Sequence, residues 1–279
     1  MTLQRLPTPA LRPFVAMVWS SEGGATSGGE PWAREHTLPT GLMHLVLRMT
    51  DSPLHIADPQ RDGVAKPVAT ALVGGARSSF YVREFSGRAC SVGAVLRPGA
   101  AQCLFGVGAD ELAERHTPLE DLWNADAPRL RSRLQESHRA EDRLALLEAA
   151  LETRLPRVRG LHPAIAAALA ERPGAWSVAD AVRHSGVSHR RFIELFRQSV
   201  GLPPKTWLRV QRFQQVLSAL GRGVHEPLAA LAADACYSDQ SHFNRDFLAF
   251  TGVTPQAYRR VSPPHANHLP VESLPARRI

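Results

Sequence analysis

Two short stretches in the last third of the chain carry side chains suited to reading nucleic acid. In the first, His189, Arg190, Ile193 and Arg197 recur at one-, three- and four-residue steps, and in the second, Gln240, Ser241, Asn244 and Arg245 do the same. On a helix, such steps gather each set on one face or its flank. The types match the base edges of a major groove. Gln and Asn can form paired hydrogen bonds with adenine and Arg with guanine, while an isoleucine between arginines suits a thymine methyl beside phosphates. A merely solvated helix face is the alternative reading of the same residues.

The elements that must hold these faces are visible around them. Phe192, Phe196, Gly201, Pro204 and Trp207 recur as Phe243, Phe247, Gly252, Pro255 and Tyr258 at an offset of 51, and upstream Val178, Ala181, Val182 and Gly186 recur as Leu228, Leu231, Ala232 and Cys236 at an offset of 50. A repeat of this kind is one supersecondary unit used twice. In the first copy, Ser177 caps a helix Val178–His184, Gly186 permits a left-handed turn residue, and Ser188 caps a helix over His189–Ser199. In the second, Pro227 opens a helix Leu228–Ala235, and Ser238 or Asp239 caps Gln240–Phe250. Two short helices joined by such a turn make a helix-turn-helix. Between the copies Pro204–Leu220 reads as one helix, roughly 25 Å long at 1.5 Å per residue. That length could set two recognition helices about one DNA turn, ~34 Å, apart.

Charge agrees. Of the 33 Lys/Arg and 26 Asp/Glu, residues 1–156 hold 17 and 18, while residues 157–260 hold 14 and 7. A near-neutral front and a basic back point to a polyanion at the back, although a basic surface without a partner would read the same. The front half is different in kind. Short β-type runs at Met43–Met49, Leu54–Ala57, Val68–Val73, Ser79–Phe85 and Val92–Leu96 alternate with turn residues, and helical periods follow at Ala100–Phe105, Ala109–Glu114, Ala127–Gln135 and Arg139–Leu155. The last carries Leu144, Leu147, Leu151 and Leu155 as a stripe, which needs a partner within the chain or on a second copy. The expected fold class is α+β. It comprises an antiparallel β-rich, barrel-like domain with helices over 1–156, an all-α domain with two helix-turn-helix units over 157–260, and a flexible tail over 261–279.

The segments Leu228-Ala-Ala-Leu-Ala-Ala-Asp-Ala-Cys-Tyr-Ser-Asp-Gln-Ser-His-Phe-Asn-Arg-Asp-Phe247 and Thr251-Gly-Val-Thr-Pro-Gln-Ala-Tyr-Arg259 resemble the signature of AraC/XylS-type bacterial transcription regulators. The likeness covers about 100 residues, 162–260. It implies a seven-helix DNA-binding domain with two helix-turn-helix units. Carried across by position, it implies base contacts from Arg190, Ile193 and Glu194 in the first unit and from Gln240, Ser241, Asn244 and Arg245 in the second. Glu194 is the awkward member, since a carboxylate near phosphates must accept from a cytosine amino group. Ser188, Arg197, Lys205, Arg209 and Arg259 read as phosphate contacts that supply salt-dependent affinity. This sequence departs from the family at Cys236, where the family usually has glycine; the second turn must change conformation or carry strain.

Thr37-Leu-Pro-Thr-Gly-Leu-Met-His-Leu-Val-Leu47 and Leu96-Arg-Pro-Gly-Ala-Ala-Gln-Cys-Leu-Phe-Gly106 are similar to an N-terminal region found on one subgroup of these regulators. In the wider family such domains sense small molecules or form dimers. The partners implied are double-stranded promoter DNA, RNA polymerase, a small-molecule effector and a second copy of the chain. No membrane partner and no cofactor are expected. Arg97 reads either as an anchor for an anionic effector or as a structural ion-pair member.

His36, His44 and His55 with Cys90 or Cys103 show no recognised metal spacing, so no metal is expected. Three cysteines, an odd number without C-x-x-C, fit buried free thiols. No run of 18 apolar residues and no signal-type N-terminus is present, which places the chain in the cytoplasm beside the nucleoid. The common nucleophile-elbow, zinc, phosphate-loop and dinucleotide motifs are missing, and no enzyme is expected. Two alternatives stay open: a repair methyltransferase-type regulator with an alkyl-accepting cysteine ahead of a similar domain, and a non-specific architectural DNA-binding protein.

Overall fold

The computed structural model describes residues 2–21, 32–59, 63–86, 90–155, 160–171, 176–222 and 226–274. The front half begins with strands β1 (Thr2–Arg5), β2 (Val15–Ser21), β3 (Trp32–Thr37), β4 (Met43–Arg48), β5 (His55–Ala57), β6 (Lys66–Pro67), β7 (Ala71–Gly74), β8 (Tyr81–Ser86) and β9 (Ser91–Leu96). Helices α1 (Ala100–Phe105) and α2 (Ala109–Leu112), strand β10 (His116–Pro118), and helices α3 (Glu120–Trp123), α4 (Asp126–Glu136) and α5 (Ala140–Glu152) follow. The run expected as one strand over Val68–Val73 begins later, at Ala71, behind the short β6. The front sheets also take in β1, β2, β3 and β10, which alternation alone did not mark.

The strands form two antiparallel sheets, ordered β1-β2-β9-β4-β7-β10 and β11-β3-β8-β5-β6. They face each other through Val46 and Leu72 of the first and Ile56 and Tyr81 of the second; the Tyr81 ring meets the His116 ring at 4.6 Å. On its other face the first sheet places Leu45, Leu47, Val92 and Ala94 against α4 and α5. The leucine stripe is satisfied there, since Leu144, Leu147 and Leu151 are all fully buried, each contributing about 1.5–3 kcal/mol. The stripe's partner is within the chain.

The back half is helical: α6 (Pro163–Ala170), α7 (Val178–Ser185), α8 (His189–Val200), α9 (Pro204–Gly221), α10 (Leu228–Asp234), α11 (Gln240–Thr251) and α12 (Pro255–Val261). These are the seven helices that the resemblance implies. The expected break at Pro156–Gly160 falls outside the described residues apart from Gly160.

The tail departs from expectation. Strand β11 (His268–Pro270) pairs antiparallel with β3, placing Leu269 opposite His36. Leu269 is fully buried, His268 Nδ1 lies 2.6 Å from Glu35 Oε1, and Tyr258 donates to the Ala266 carbonyl at 2.7 Å. Residues 262–274 are therefore a built strap from the helical region back to the front sheet. A three-residue strand holding a proline has no periodicity of its own, and its stability comes from β3 and from the buried leucine.

The two halves share their cores. Phe192, Phe196, Val200, Leu202 and Trp207 join the front domain's main cluster. Phe213, Phe243, Phe247 and Phe250 join Leu38, Ala57, Phe80 and Val82 of the second sheet together with Leu269. The outer face of that sheet is thus covered by the second helix-turn-helix unit.

Candidate nucleic-acid interface

Each unit builds its outward face by capping at the front of its second helix and burying the back. Ser188 Oγ accepts the Arg191 amide at 3.3 Å at the start of α8. Asp239 Oδ1 accepts the His242 amide at 2.7 Å at the start of α11, and this backbone bond holds the Asp239 carboxyl below its ordinary range. Behind the caps Phe192, Leu195 and Phe196 are buried on α8, as are Phe243, Phe247 and Phe250 on α11. Opposite them, Arg190, Glu194 and Arg197 are exposed on α8, and Gln240, Ser241, Asn244 and Arg245 on α11. Ile193 is only half-buried, its stem packed against the core. Glu194 is engaged by Arg191 at 2.9 Å, which offsets its charge locally.

The C-terminal ends of both helices are occupied by the front domain. Gly201 closes α8 at φ 93, and a β-carbon there would meet the Ala109 carbonyl oxygen at 3.0 Å. Gly252 closes α11 at φ 77, and a β-carbon there would meet the Phe80 ring at 2.7 Å. These two glycines are the repeat's own equivalents, 51 residues apart. His36 stacks on Phe80 at 4.3 Å, and its Nδ1 lies 2.8 Å from the Thr251 carbonyl oxygen at the end of α11. Both helices therefore stand with their C-terminal ends in the protein and their capped, polar beginnings outward.

The expected phosphate contacts divide. Ser188, Arg197 and Lys205 are exposed. Arg209 is committed elsewhere: Nη2 and Nε hold the two oxygens of Asp246 at 2.6 and 3.3 Å, and its guanidinium lies 5.5 Å from the centre of the Phe250 ring. Asp246 is buried; its hydrogen bonds raise the Arg209 pKa further above its ordinary value. Asp246 engages Nε and Nη2, so the structure gives Arg209 a structural partner beside the expected one. Arg259 donates to the Glu226 carbonyl at 2.8 Å and is half-buried.

Two features of the second unit escaped the sequence reading. Leu248, 49% exposed, extends the Ser241, Asn244, Arg245 face by one more turn, a position that helical spacing alone would have flagged. Arg212 donates to the Cys236 carbonyl at 3.3 Å, a contact that no local pattern announces. Cys236 itself stands at φ 59, where the first unit has Gly186 at φ 70. Of the two outcomes expected at this residue, the structure shows the strained one.

Among the described residues, no group of three or more His, Cys, Asp or Glu is placed to hold a metal ion, and no helix is long and apolar enough to cross a membrane. Cys103 is buried, and burial pushes its thiol up. Cys90 accepts from Arg143 at 3.1 Å. Arg97 is exposed.

Residues 181–261 match the family described as a helix-turn-helix domain, and residues 3–118 match the domain of unknown function DUF6597. The F1 operon positive regulatory protein of Yersinia pestis is 35% identical over 81 residues, which are 29% of this chain and 26% of that protein. An uncharacterized HTH-type transcriptional regulator of Haemophilus influenzae is 25% identical over 100 residues, 36% of this chain and 33% of that protein. The chain thus spans about a quarter to a third of the length of these curated relatives. A crystal structure of ToxT from Vibrio cholerae is 12% identical, covering 86% of this chain and 97% of that one at a TM-score of 0.44. Residues 181–261 are thus similar to a helix-turn-helix domain, and they follow a region, residues 3–118, that is similar to the DUF6597 family.

Proposed function

We propose that this chain is a sequence-specific DNA-binding transcription regulator whose two helix-turn-helix units read adjacent major-groove segments. The supporting observation is the matched pose of α8 and α11, each capped and polar at its outer end and seated at its C-terminal glycine on the front domain. Arg190, Ile193 and Glu194 read bases from α8, and Gln240, Ser241, Asn244 and Arg245 from α11. Ser188, Arg197, Lys205 and the accessible part of Arg259 hold phosphates. Arg209 also serves the fold, through its hold on Asp246.

The front domain is the control element, and a small-molecule effector would act through the two shared cores, since the first sheet shares a core with the first unit and the second sheet with the second. A second copy of the chain and RNA polymerase complete the partners, in the cytoplasm at the nucleoid. No catalysis is assigned: an alkyl-accepting thiol needs activation, whereas burial raises Cys103.

The test is selection of binding sites from random DNA followed by footprinting. The expected outcome is one site with two protected segments about 10 base pairs apart per chain. Equal affinity for selected and random DNA would make the protein architectural, and a single protected segment would remove the two-unit reading.

A further inference from the structure

The two units solve the same turn differently, and the difference points to a residue that no base or phosphate role explains. In the first unit the left-handed residue between α7 and α8 is Gly186 at φ 70, which glycine adopts freely. In the second it is Cys236 at φ 59, a conformation that a β-carbon disfavours. The turn closes with the Cys236 amide on the Ala233 carbonyl at 2.9 Å and the Tyr237 amide on the Ala232 carbonyl at 3.0 Å. Those bonds leave the Cys236 carbonyl to be held from outside, and Arg212 of α9 holds it, with Nη1 at 3.3 Å. The same guanidinium lies 5.3 Å from the centre of the Tyr237 ring. Tyr237 in turn packs on His242 and Phe243 of α11, both at 5.3 Å. Arg212 therefore touches the turn at its strained residue and, through one ring, the first turns of the helix that carries Gln240, Ser241 and Asn244. One helical turn earlier on α9, Arg209 grips Asp246 of α11. The first unit has no counterpart: the positions 50 and 51 residues before Arg212 are His162 and Leu161.

We propose that Arg212 is a positioning residue that fixes the entry angle of α11 by clamping the Cys236–Tyr237 turn from α9, doing for the second unit what glycine does for the first. It acts on specificity at the second DNA segment and makes no contact with DNA. The planar guanidinium is required, because a lysine ammonium cannot both donate to the carbonyl and lie flat over the ring. The proposal rests on the two-segment reading above, and its test separates the two.

The experiment uses the full chain and the DNA site selected by the unaltered protein. Footprints, affinities at several salt concentrations and thermal unfolding are compared for Arg212→Ala, Arg212→Lys, Cys236→Gly and the double variant Arg212→Ala/Cys236→Gly. Arg212→Ala should keep protection of the first segment and weaken the second, lowering affinity for the selected site at least about five-fold with an unchanged salt slope. Arg212→Lys should resemble Ala, which also covers the case where Arg212→Ala folds poorly. In the Cys236→Gly background the Arg212→Ala loss should shrink to less than about two-fold, because the turn no longer needs the clamp. Uniform weakening on all sequences with a salt slope smaller by about one would make Arg212 a phosphate contact and overturn the proposal. Full activity of both Arg212 variants, or an undiminished loss beside Cys236→Gly, would overturn it as well. An unaltered chain that protects one segment or none would overturn the two-unit reading itself, and this proposal with it.

Discussion

In the first helix-turn-helix unit, α8 is fixed by rings: Phe196 meets Trp207 of α9 edge-on at 5.8 Å and Trp176 at 6.4 Å, and the turn is a glycine. In the second, α11 and the turn before it are also tied to α9, α11 through Arg209 to the buried Asp246 and the turn through Arg212 to the Cys236 carbonyl. Their surroundings differ too. The partner helix α7 buries no residue completely, whereas α10 buries Leu231 and Ala232. The first unit completes the core beneath α1 and α2, and the second roofs a whole sheet and is strapped by the tail. The repeat specifies where apolar residues and turns must stand. It leaves open how each turn is secured, and duplicated units are free to diverge there.

The largest expected effects test that contrast in stability. Phe196→Ala should cost about 3–5 kcal/mol in urea denaturation through lost packing alone. Arg209→Ala should cost about 3 kcal/mol, because it leaves the buried Asp246 carboxylate without its bidentate partner and with His242 at 3.7 Å, and adding Asp246→Asn should return part of that loss. If Arg209→Ala cost less than about 1 kcal/mol, the second unit would be held by its rings like the first. Next come the proposed base readers. Arg190→Ala and Arg245→Ala should each cost about 1–3 kcal/mol of binding and relax preference at one base, in different segments; loss at the same segment would mean that the units do not divide the site.

The turn itself should show an effect near 1 kcal/mol in opposite directions. Cys236→Gly should stabilise the fold by about that much and Gly186→Ala should destabilise it, as thermal unfolding would report. Equal and negligible shifts would mean that the strained residue costs nothing. Smallest and most even is Lys205→Ala at the start of the shared helix. It should weaken binding to every sequence alike and reduce the salt slope by about one, favouring neither segment.

Much of the helical region was legible because its signals are local. Ser188 and Asp239 cap where side-chain chemistry says they should, and Phe192, Phe196, Phe243 and Phe247 are buried at helical spacing. The leucine stripe on α5 was equally plain, and its partner was not, since a stripe does not name the surface it covers. What stayed hidden depends on contacts distant in sequence. Arg209 reads as a free cation until Asp246, 37 residues on, is brought beside it. His268–Pro270 reads as a frayed end until β3 arrives. The exposure of Arg190, Glu194, Gln240, Ser241, Asn244 and Arg245 was readable as a set, because exposure at the front of a capped helix follows from burying its back.

The strap has a consequence for how the molecule is made. Strand β3 is flanked by β8 on one side and completed on the other only by β11, whose first residue lies 231 positions after the end of β3. At about 5–20 residues per second, a ribosome needs roughly 10–50 s to span that interval. Through that time the growing chain carries an open strand edge available to neighbouring copies. Residues 268–270 thus decide when the β3 edge at Glu35–Thr37 is covered, and a front domain separated from them would keep that edge open.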